Sequence, residues 1–197
     1  MTFEGIDGSG KTTQAELLAQ ALRADGRHVV VTREPGGTEL GERVRSLLLE
    51  HDLDIAPWAE AALFAAARAQ LVAEVVRPAL AGGADVVCDR YVDSSLAYQG
   101  IARGLGVEDV LELNLEATQG LLPDRTFLVL LDPEEAARRS TGDADRIERE
   151  GLEFQAAVGR AYEELAEMFP QRIKKLDGAR TAAELARIVR DELRDLS

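Results

Sequence analysis

A glycine-rich run near the start of the chain constrains the fold more than any other feature. It follows the pattern Gly-x4-Gly-Lys-Thr and reads Gly5-Ile6-Asp7-Gly8-Ser9-Gly10-Lys11-Thr12. Such a run brings several backbone N–H groups onto one anion, and the N-terminus of the helix that follows adds a favourable dipole. The run here follows a short strand and opens an amphipathic helix, as phosphate binding requires. It therefore predicts a P-loop that binds the phosphates of a nucleoside triphosphate, ATP.

The P-loop pattern also assigns roles to the side chains at its end. Lys11 is predicted to reach the β- and γ-phosphates, and the Thr12 hydroxyl is predicted to be a ligand of Mg²⁺. The alternative, a glycine-rich turn followed by a chance Lys-Thr pair, leaves the strand–turn–helix context unexplained. The predicted nucleotide-binding residues are Gly5, Ile6, Asp7, Gly8, Ser9, Gly10, Lys11, Thr12 and Thr13.

Short apolar runs alternate with longer amphipathic runs along the chain. This alternation is typical of a parallel sheet covered by helices on both faces. We therefore predict an α/β, P-loop NTPase fold of three layers with a five-stranded parallel sheet, in one domain over residues 1–197. A kink or break is expected at Pro78, near the end of the third helix. The predicted strands are 1–4, 28–32, 84–89, 126–132 and 172–176; the predicted helices are 11–24, 39–50, 56–80, 108–119, 152–168 and 181–196.

Composition and charge exclude several classes of protein. The formal net charge of −13 argues against a nucleic-acid binder, which usually carries a basic stripe. No apolar run approaches the roughly 20 residues that span a bilayer, and the N-terminus lacks a signal-peptide pattern. The single cysteine, Cys88, excludes an intrachain disulfide framework and is expected to be a buried, unreactive thiol. These features predict a cytoplasmic protein without a membrane or nucleic-acid partner.

Two strand ends carry candidate site residues. The apolar run 86–88 delivers Asp89 to the carboxyl end of a strand, where open α/β sheets place their ligands. We interpret Asp89 as a direct or water-mediated partner of Mg²⁺ and Arg90 as a phosphate clamp; the alternative is a surface ion pair. The loop 32–38 follows another strand, and its Arg33 suits a second anion site, although a plain strand-to-helix turn explains it equally well.

Two further segments combine residue types that suit nucleotide chemistry. Phe64 and Arg68 are four residues apart on a predicted helix and share a face, so they offer a ring and N–H donors to a base; the alternative is that Phe64 belongs to the core. The segment 138–149 is too polar to be core. It is either a solvated charged loop or a mobile lid that closes arginines over a transferring phosphoryl group.

Together these segments resemble the thymidylate kinase family in its bacterial form, over nearly the whole chain. The resemblance implies magnesium-dependent transfer of the ATP γ-phosphoryl group to dTMP, giving dTDP and ADP, by a homodimeric enzyme with a lid at about 138–150. The segments that carry it are 3–14, 32–38 with Arg-Glu-Pro-Gly-Gly-Thr, 64–68, 89–100 with Asp-Arg-Tyr and Ser-Ser-x-Ala-Tyr-Gln-Gly, and 145–148.

The resemblance also implies roles for individual residues. Phe64 would stack on thymine, Arg68 would bond its edge, and Ser95 would contact the base. Tyr98 would crowd the sugar 2′ position, and Arg90 would hold the acceptor phosphate. Asp7 would contact either the acceptor sugar or the metal. The implied catalytic residues are Lys11, Arg90, Arg139 and Asp7; the substrate-binding residues are Arg33, Phe64, Arg68, Arg90, Ser95, Tyr98 and Gln99; the metal ligands are Thr12 and Asp89.

The sequence departs from the family pattern in its P-loop and lid. Family members without a P-loop arginine carry compensating lid arginines, and this P-loop has Gly8 and Ser9. Many bacterial lids have an arginine before their glycine, where this chain has Thr141. We expect Arg139 to be the lid arginine; Arg138, Arg146 and Arg149 are the other candidates. The first strand is also unusually short.

Two other functions compete with this interpretation. The chain could be another P-loop kinase of a small substrate, or a nucleotide-dependent switch or binding module. The sequence has no Asn-Lys-x-Asp guanine signature, and its clustered acceptor-side residues are unnecessary for a switch.

Overall fold

The computed structural model describes residues 1–50, 53–139 and 145–193. Its centre is a five-stranded sheet in which every pair of neighbours is parallel. The spatial order is β2-β3-β1-β4-β5, so the predicted five-stranded parallel sheet is confirmed. The strands are β1 Thr2–Glu4, β2 Val29–Arg33, β3 Asp85–Asp89, β4 Thr126–Leu130 and β5 Ile173–Asp177.

Helices connect the strands and cover the sheet. Within the described residues, none is both long and apolar enough to cross a membrane. The α-helices are α1 Lys11–Ala24, α2 Glu39–Leu49, α3 Pro57–Leu71, α4 Arg77–Ala81, α5 Val92–Ser95, α6 Val107–Thr118, α7 Pro133–Arg139, α8 Gly151–Met168 and α9 Ala182–Leu193; two π-helical turns, Val72–Val76 and Leu96–Ala102, and a 3₁₀ turn, Glu148–Glu150, complete them.

The strand order positions the candidate site. The short central strand β1 pairs with β3 on one side, with Phe3 opposite Asp89, and with β4 on the other, with Phe3 opposite Phe127. β2 and β3 lie on one side of β1, and β4 and β5 lie on the other, so the order in which strands are added reverses beside β1. Ligands of open α/β sheets bind outside the carboxyl ends of the strands at such a switch point. The P-loop leaves β1 at this point.

Apolar side chains fill the space on both faces of the sheet, since successive residues of a strand point to opposite sides. On one face Phe3, Val87 and Phe127 pack with residues of α1 and α9, and the Phe3 and Phe127 rings stack with centroids 5.2 Å apart. On the other face Cys88 and Leu128 pack with residues of α8 and the Leu96–Ala102 turn. These two layers of helix around one sheet are the predicted architecture.

Of three helical segments, one agrees with its predicted structure and two differ from it. The helix predicted at 56–80 is divided into α3 and α4 by the π-helical turn Val72–Val76, which ends two residues before Pro78 and agrees with the kink or break expected there. Pro78 lies in the first turn of α4, where its missing N–H costs little. Residues 92–102 and the helix α7, Pro133–Arg139, are helical, whereas the sequence predicts no helix in either place.

The burial of side chains on β4 predicts how much one of them contributes to the stability of the protein. Leu128 is completely buried, so Leu128→Ala removes buried methyl groups and leaves a cavity. We expect the free energy of unfolding to fall by about 2–5 kcal/mol, measured by urea denaturation. Leu152→Ala is the matched control because Leu152 is 51% exposed, and it should cost less than about 0.5 kcal/mol. Equal losses in the two variants would contradict this assignment of the core.

Candidate active site

The P-loop connects β1 to the N-terminus of α1, and its backbone fits closely against neighbouring carbonyl groups. Gly5 and Gly8 have φ of +139° and +79°, which favour glycine. A Cβ at Gly5 would lie 2.4 Å from the Val129 carbonyl oxygen, and one at Gly8 would lie 2.2 Å from the Ala136 carbonyl oxygen. The loop lines a cavity of about 960 Å³, called the larger cavity below.

Lys11 is drawn into the inner side of this loop. Its side chain is only 5% exposed, and its Nζ donates to the Ile6 carbonyl at 2.8 Å and lies 3.6 Å from the Asp7 carboxylate. Burial and the nearby Arg90 charge both lower the pKa of the Lys11 ammonium. Lys11 and Arg90 together concentrate positive charge beside the P-loop, which suits an anionic ligand.

Thr12 and Asp89 meet across the larger cavity. The Thr12 hydroxyl donates to the Asp89 Oδ2 at 2.5 Å, and the other Asp89 oxygen, Oδ1, is buried without a hydrogen-bond partner among the described residues. Hydroxyl and carboxylate oxygens are the ligands that Mg²⁺ prefers, and Mg²⁺ is usually held by one or two protein groups plus phosphate oxygens and water. The pair therefore fits a magnesium ion. Larger groups of metal-ligating side chains are absent from the part of the chain that the structure describes.

Arg90 lies at the junction of two cavities and is held by hydrogen bonds. Its Nη2 donates to the Asp7 Oδ1 at 2.6 Å, and its Nη1 donates at 3.2 Å to the Ser94 hydroxyl and to the Tyr162 hydroxyl. Although desolvation by burial acts in the opposite direction, the Asp7 charge raises the pKa of Arg90 above its ordinary value. The backbone φ of +68° at Arg90 is rare for a non-glycine residue and indicates local strain where β3 ends.

Asp7 faces Arg90 and Lys11. Desolvation would raise the pKa of the Asp7 carboxyl, but the charges of Arg90 and Lys11 outweigh it and hold the pKa well below its ordinary value. Asp7 is therefore ionised at neutral pH, and it lines both cavities. As a carboxylate it can only accept hydrogen bonds or bind a cation.

The second cavity is smaller, about 80 Å³, and adjoins the first. Its wall combines the Phe64 ring with polar groups from the two helical segments that follow β3. The sequence-predicted residues Phe64, Ser95, Tyr98, Gln99, Arg90 and Asp7 all line it. Phe64 also packs against core residues, so the two alternatives for it, core and binding wall, are compatible.

Arg68 lies behind this wall. Its side chain is 1% exposed; Nε donates to Glu34 at 2.7 Å, Nη1 to the Ser95 hydroxyl at 3.0 Å and Nη2 to the Tyr91 carbonyl at 2.9 Å. Nη1 also donates to Asn114. Ser95 and Glu34 line the smaller cavity, so Arg68 supports two residues of the wall. The bond between Arg68 and a base edge stays a prediction.

The remaining predicted arginines occupy different surroundings. Arg33 lines the larger cavity, and its guanidinium bonds Glu42 at 3.0 Å and 3.1 Å. Arg139 also lines the larger cavity and donates to Glu135 and the Gly178 carbonyl, each at 3.0 Å. Arg138 is exposed and bonded to Glu135, whereas Arg146 donates to Glu60 and the Leu48 carbonyl. Thr141 lies outside the described residues.

Sequence reasoning missed several residues of the site. Arg45 lines both cavities and donates from Nη1 to the Pro35 carbonyl at 3.1 Å. Its signal was its helical phase, since Arg45 lies four residues after the buried Gly41 and three before the buried Leu48, on one face of α2. Glu4 was also missed: its fully buried carboxylate accepts from the Ser94 and Tyr162 hydroxyls at 2.6 Å and 2.9 Å. These hydroxyls are the ones that Arg90 contacts.

The fold and these two adjoining cavities define a class of protein. A P-loop faces the larger cavity, the Phe64 ring and the Gln99 amide line the smaller one, and the partly buried Arg90 lines both. This is the arrangement of a P-loop kinase with one site for a nucleotide donor and one for a small acceptor.

Comparison with known proteins gives the family. The thymidylate kinase family model matches residues 3–188. A thymidylate kinase from Bifidobacterium longum (strain DJO10A) is 47% identical over 201 residues, covering 100% of this chain and 98% of the relative. One from Pelotomaculum thermopropionicum is 50% identical over 184 residues, covering 91% of this chain and 85% of the relative. The crystal structure of thymidylate kinase from Ehrlichia chaffeensis superposes with a TM-score of 0.80 at 32% identity, covering 98% and 96% of the two chains.

The chain belongs to the thymidylate kinase family. Its predicted fold class and function are thereby confirmed: it is a nucleoside monophosphate kinase that phosphorylates dTMP with ATP as the phosphate donor.

The buried Glu4 predicts a pH dependence of stability. Burial, aided by the charge of Asp93, raises the pKa of the Glu4 carboxyl from 4.5 to about 7. The folded protein keeps this proton up to about pH 7, while the unfolded chain releases it near pH 4.5, so Glu4 lowers stability progressively as the pH rises between these values.

The glutamine side chain of the Glu4→Gln variant cannot ionise, so the variant lacks the loss of stability that Glu4 causes as the pH rises. We expect the unfolding free energy of the variant, relative to the parent protein, to improve steadily from pH 4.5 to 7 in urea titrations. Gln20→Ala, a change at an exposed residue of α1 that carries no ionisable group, should show a constant difference across the same range. A difference between Glu4→Gln and the parent that does not change with pH would contradict the raised pKa.

Proposed function

We propose that the larger cavity binds ATP and the smaller cavity binds dTMP, so that the γ-phosphoryl group is transferred at their junction. The observation that carries this proposal is the position of Arg90, which lines both cavities and is fixed by Asp7, Ser94 and Tyr162. An arginine held at that point can contact the acceptor phosphate while facing the donor phosphates. Phosphoryl transfer asks the protein mainly for such positioning and for charge neutralisation.

On the donor side, the P-loop residues 5–13 bind the ATP phosphates through backbone N–H groups, and Lys11 contacts the β- and γ-phosphates. Thr12 and Asp89 hold Mg²⁺, a role supported by their short contact and by the unpaired Asp89 oxygen. When bound, the ion neutralises charge on the phosphates. Arg139, at the end of α7, contributes positive charge from the lid region 138–150, and its place in the wall of the larger cavity supports this role.

On the acceptor side, Phe64 stacks on the thymine ring, and Ser95 and Gln99 bind its polar edge. Arg68, whose Nη1 donates to the Ser95 hydroxyl, bonds the same edge of the base. Arg33 contributes to the anion-binding surface. Tyr98 occupies the space beside the sugar 2′ position. Its hydroxyl is 3.4 Å from the Arg90 guanidinium, and the Arg90 Cζ lies 5.3 Å from its ring centroid, which supports a fixed orientation of the ring.

Asp7 and Arg45 complete the junction in this proposal. Asp7 orients Arg90 and Lys11 through its carboxylate, and the same carboxylate is available to the acceptor sugar or the metal. Arg45 adds a second guanidinium near the acceptor phosphate. In this arrangement the four cationic groups Lys11, Arg45, Arg90 and Arg139 surround the transferring group, where its negative charge is spread in the transition state.

We also propose the larger organisation of the protein. Residues 1–197 form one kinase domain, which assembles as a homodimer and acts in the cytoplasm without a nucleic-acid or membrane partner. Exposed apolar side chains on the neighbouring helices α2 and α3, namely Leu40, Leu47 and Trp58, support the homodimer, since such groups mark interaction surfaces when they lie together.

Replacement of Arg90 tests the shared role of the junction. Arg90→Ala removes the guanidinium between the two substrates, so kcat should fall by about 10³-fold or more in a coupled assay of ADP formation with ATP and dTMP. Arg43→Ala, which removes an exposed arginine of α2, is the control and should leave kcat unchanged. A folded Arg90→Ala enzyme with near-normal kcat would refute the assignment.

Replacement of Tyr98 tests sugar selection. Tyr98→Ala opens the space beside the 2′ position, so the ratio of kcat/KM for dUMP over UMP should fall at least about tenfold. Tyr98→Phe keeps the ring and should retain most of the discrimination, because the effect arises from bulk. If Tyr98→Ala retains the parent ratio, the ring does not select deoxyribose.

A further inference from the structure

Glu60 is a buried carboxylate that contacts neither cavity directly. It lies in the first turn of α3 and is 1% exposed. Arg103 donates to it from Nε at 2.7 Å and from Nη2 at 3.0 Å, and Arg146 donates to its Oε2. Gln99 donates from Nε2 to its Oε1 at 2.8 Å. We call Glu60, Gln99, Arg103 and Arg146 the Glu60 cluster.

The charge of the cluster fixes the protonation state of Glu60. Burial alone would raise the pKa of this carboxyl, but the hydrogen bonds from Arg103, Arg146 and Gln99 outweigh burial and lower it. Glu60 is therefore ionised at neutral pH, and an ionised carboxylate can accept hydrogen bonds but cannot donate them.

This one-way property fixes the orientation of the Gln99 amide. A side-chain amide has an NH₂ donor end and a carbonyl acceptor end, and only the NH₂ end can bond an ionised carboxylate. A flipped Gln99 would bring its carbonyl oxygen against Glu60, with two acceptors in contact inside the protein. That arrangement costs the desolvation of both groups. The carbonyl oxygen of Gln99 is therefore held on the side away from Glu60.

Gln99 is the member of the cluster that lines the smaller cavity, beside Ser95 and Tyr98. We propose that Glu60 is a positioning residue that sets base specificity: it locks the Gln99 amide so that a hydrogen-bond acceptor faces the base in the smaller cavity. An acceptor there pairs with the N3–H donor of thymine or uracil. It opposes the N3 lone pair of cytosine. The inference rests on the assignment of the smaller cavity to the acceptor nucleotide.

Glu60→Gln tests this role because a glutamine at position 60 can donate or accept, so either orientation of the Gln99 amide becomes acceptable. We expect the ratio of kcat/KM for dTMP over dCMP to fall at least about tenfold. Glu60→Asp keeps a carboxylate, which can only accept hydrogen bonds, and should retain most of the parent ratio. A purely structural role of Glu60 would lower the melting temperature of both variants and leave the ratio unchanged, which would overturn the proposal.

Two controls keep the test decisive. Asp85→Asn removes a partly buried carboxylate that Arg27 bonds at 2.6 Å and that lines neither cavity; it should change stability without changing the dTMP/dCMP ratio. If Glu60→Gln alone does not fold, Glu60→Gln with Arg103→Leu removes a partly buried cation together with the carboxylate and should show the same loss of discrimination. An unchanged ratio in that folded double variant would also refute the role.

Phe64→Ala separates this inference from the site assignment on which it rests. It should raise the KM for dTMP at least about tenfold by removing the stacking ring, and it should not increase the turnover of dCMP. If Phe64→Ala raises the KM for dTMP and Glu60→Gln leaves the dTMP/dCMP ratio of kcat/KM unchanged, only the role of Glu60 is rejected. An unchanged KM with Phe64→Ala and an unchanged ratio with Glu60→Gln would reject the acceptor assignment and the role of Glu60 together.

Discussion

The arrangement of the site depends on how the Arg90 guanidinium is held. A charged group in this position is costly unless its hydrogen bonds are satisfied. Oxygen atoms from three separate parts of the chain satisfy it: Asp7 of the P-loop, Ser94 after β3, and Tyr162 of α8. Glu4 then accepts from the same two hydroxyls from within β1. The P-loop, the wall of the smaller cavity and the central strand are thus joined through one side chain, and the strained φ of +68° at Arg90 is tolerated because these contacts determine its position.

Packing against the P-loop explains why positive charge is supplied from elsewhere in the chain. Helix α7 places the Ala136 carbonyl 2.2 Å from where a Cβ at Gly8 would lie, and the φ at Gly8 is +79°. A side chain at this position would collide with backbone, so an arginine there would require α7 to move. The same helix ends at Arg139, which lines the larger cavity. The helix that excludes a P-loop arginine therefore brings another arginine to the cavity.

The sequence predicted those features that depend on local pattern. The P-loop, the helix at Lys11–Ala24 and the strand that ends at Asp89 are encoded by spacing and polarity within a few residues, so their positions agree with the structure. The surroundings of Arg68 were not predictable in this way. Its partner Glu34 lies 34 residues away and Asn114 lies 46 residues away, so only the tertiary fold brings them together. The break near Pro78, by contrast, was predictable from local chemistry, because proline lacks the N–H that continues an α-helix, and α4 begins one residue before it.

Buried ion pairs behind the smaller cavity contribute mainly to geometry. Replacing such a pair by well-packed apolar groups is often neutral or stabilising, so the Glu34–Arg68 and Glu60–Arg103 pairs are weak evidence for stability. Each pair, however, bonds a residue of the cavity wall: Arg68 bonds Ser95, and Glu60 bonds Gln99. A charged partner fixes which end of a polar side chain faces the cavity, which an apolar partner cannot do. These charges are therefore buried at an energetic cost where a fixed orientation of the wall is useful. A site that distinguishes ligands by hydrogen bonds needs donors and acceptors whose orientations do not change.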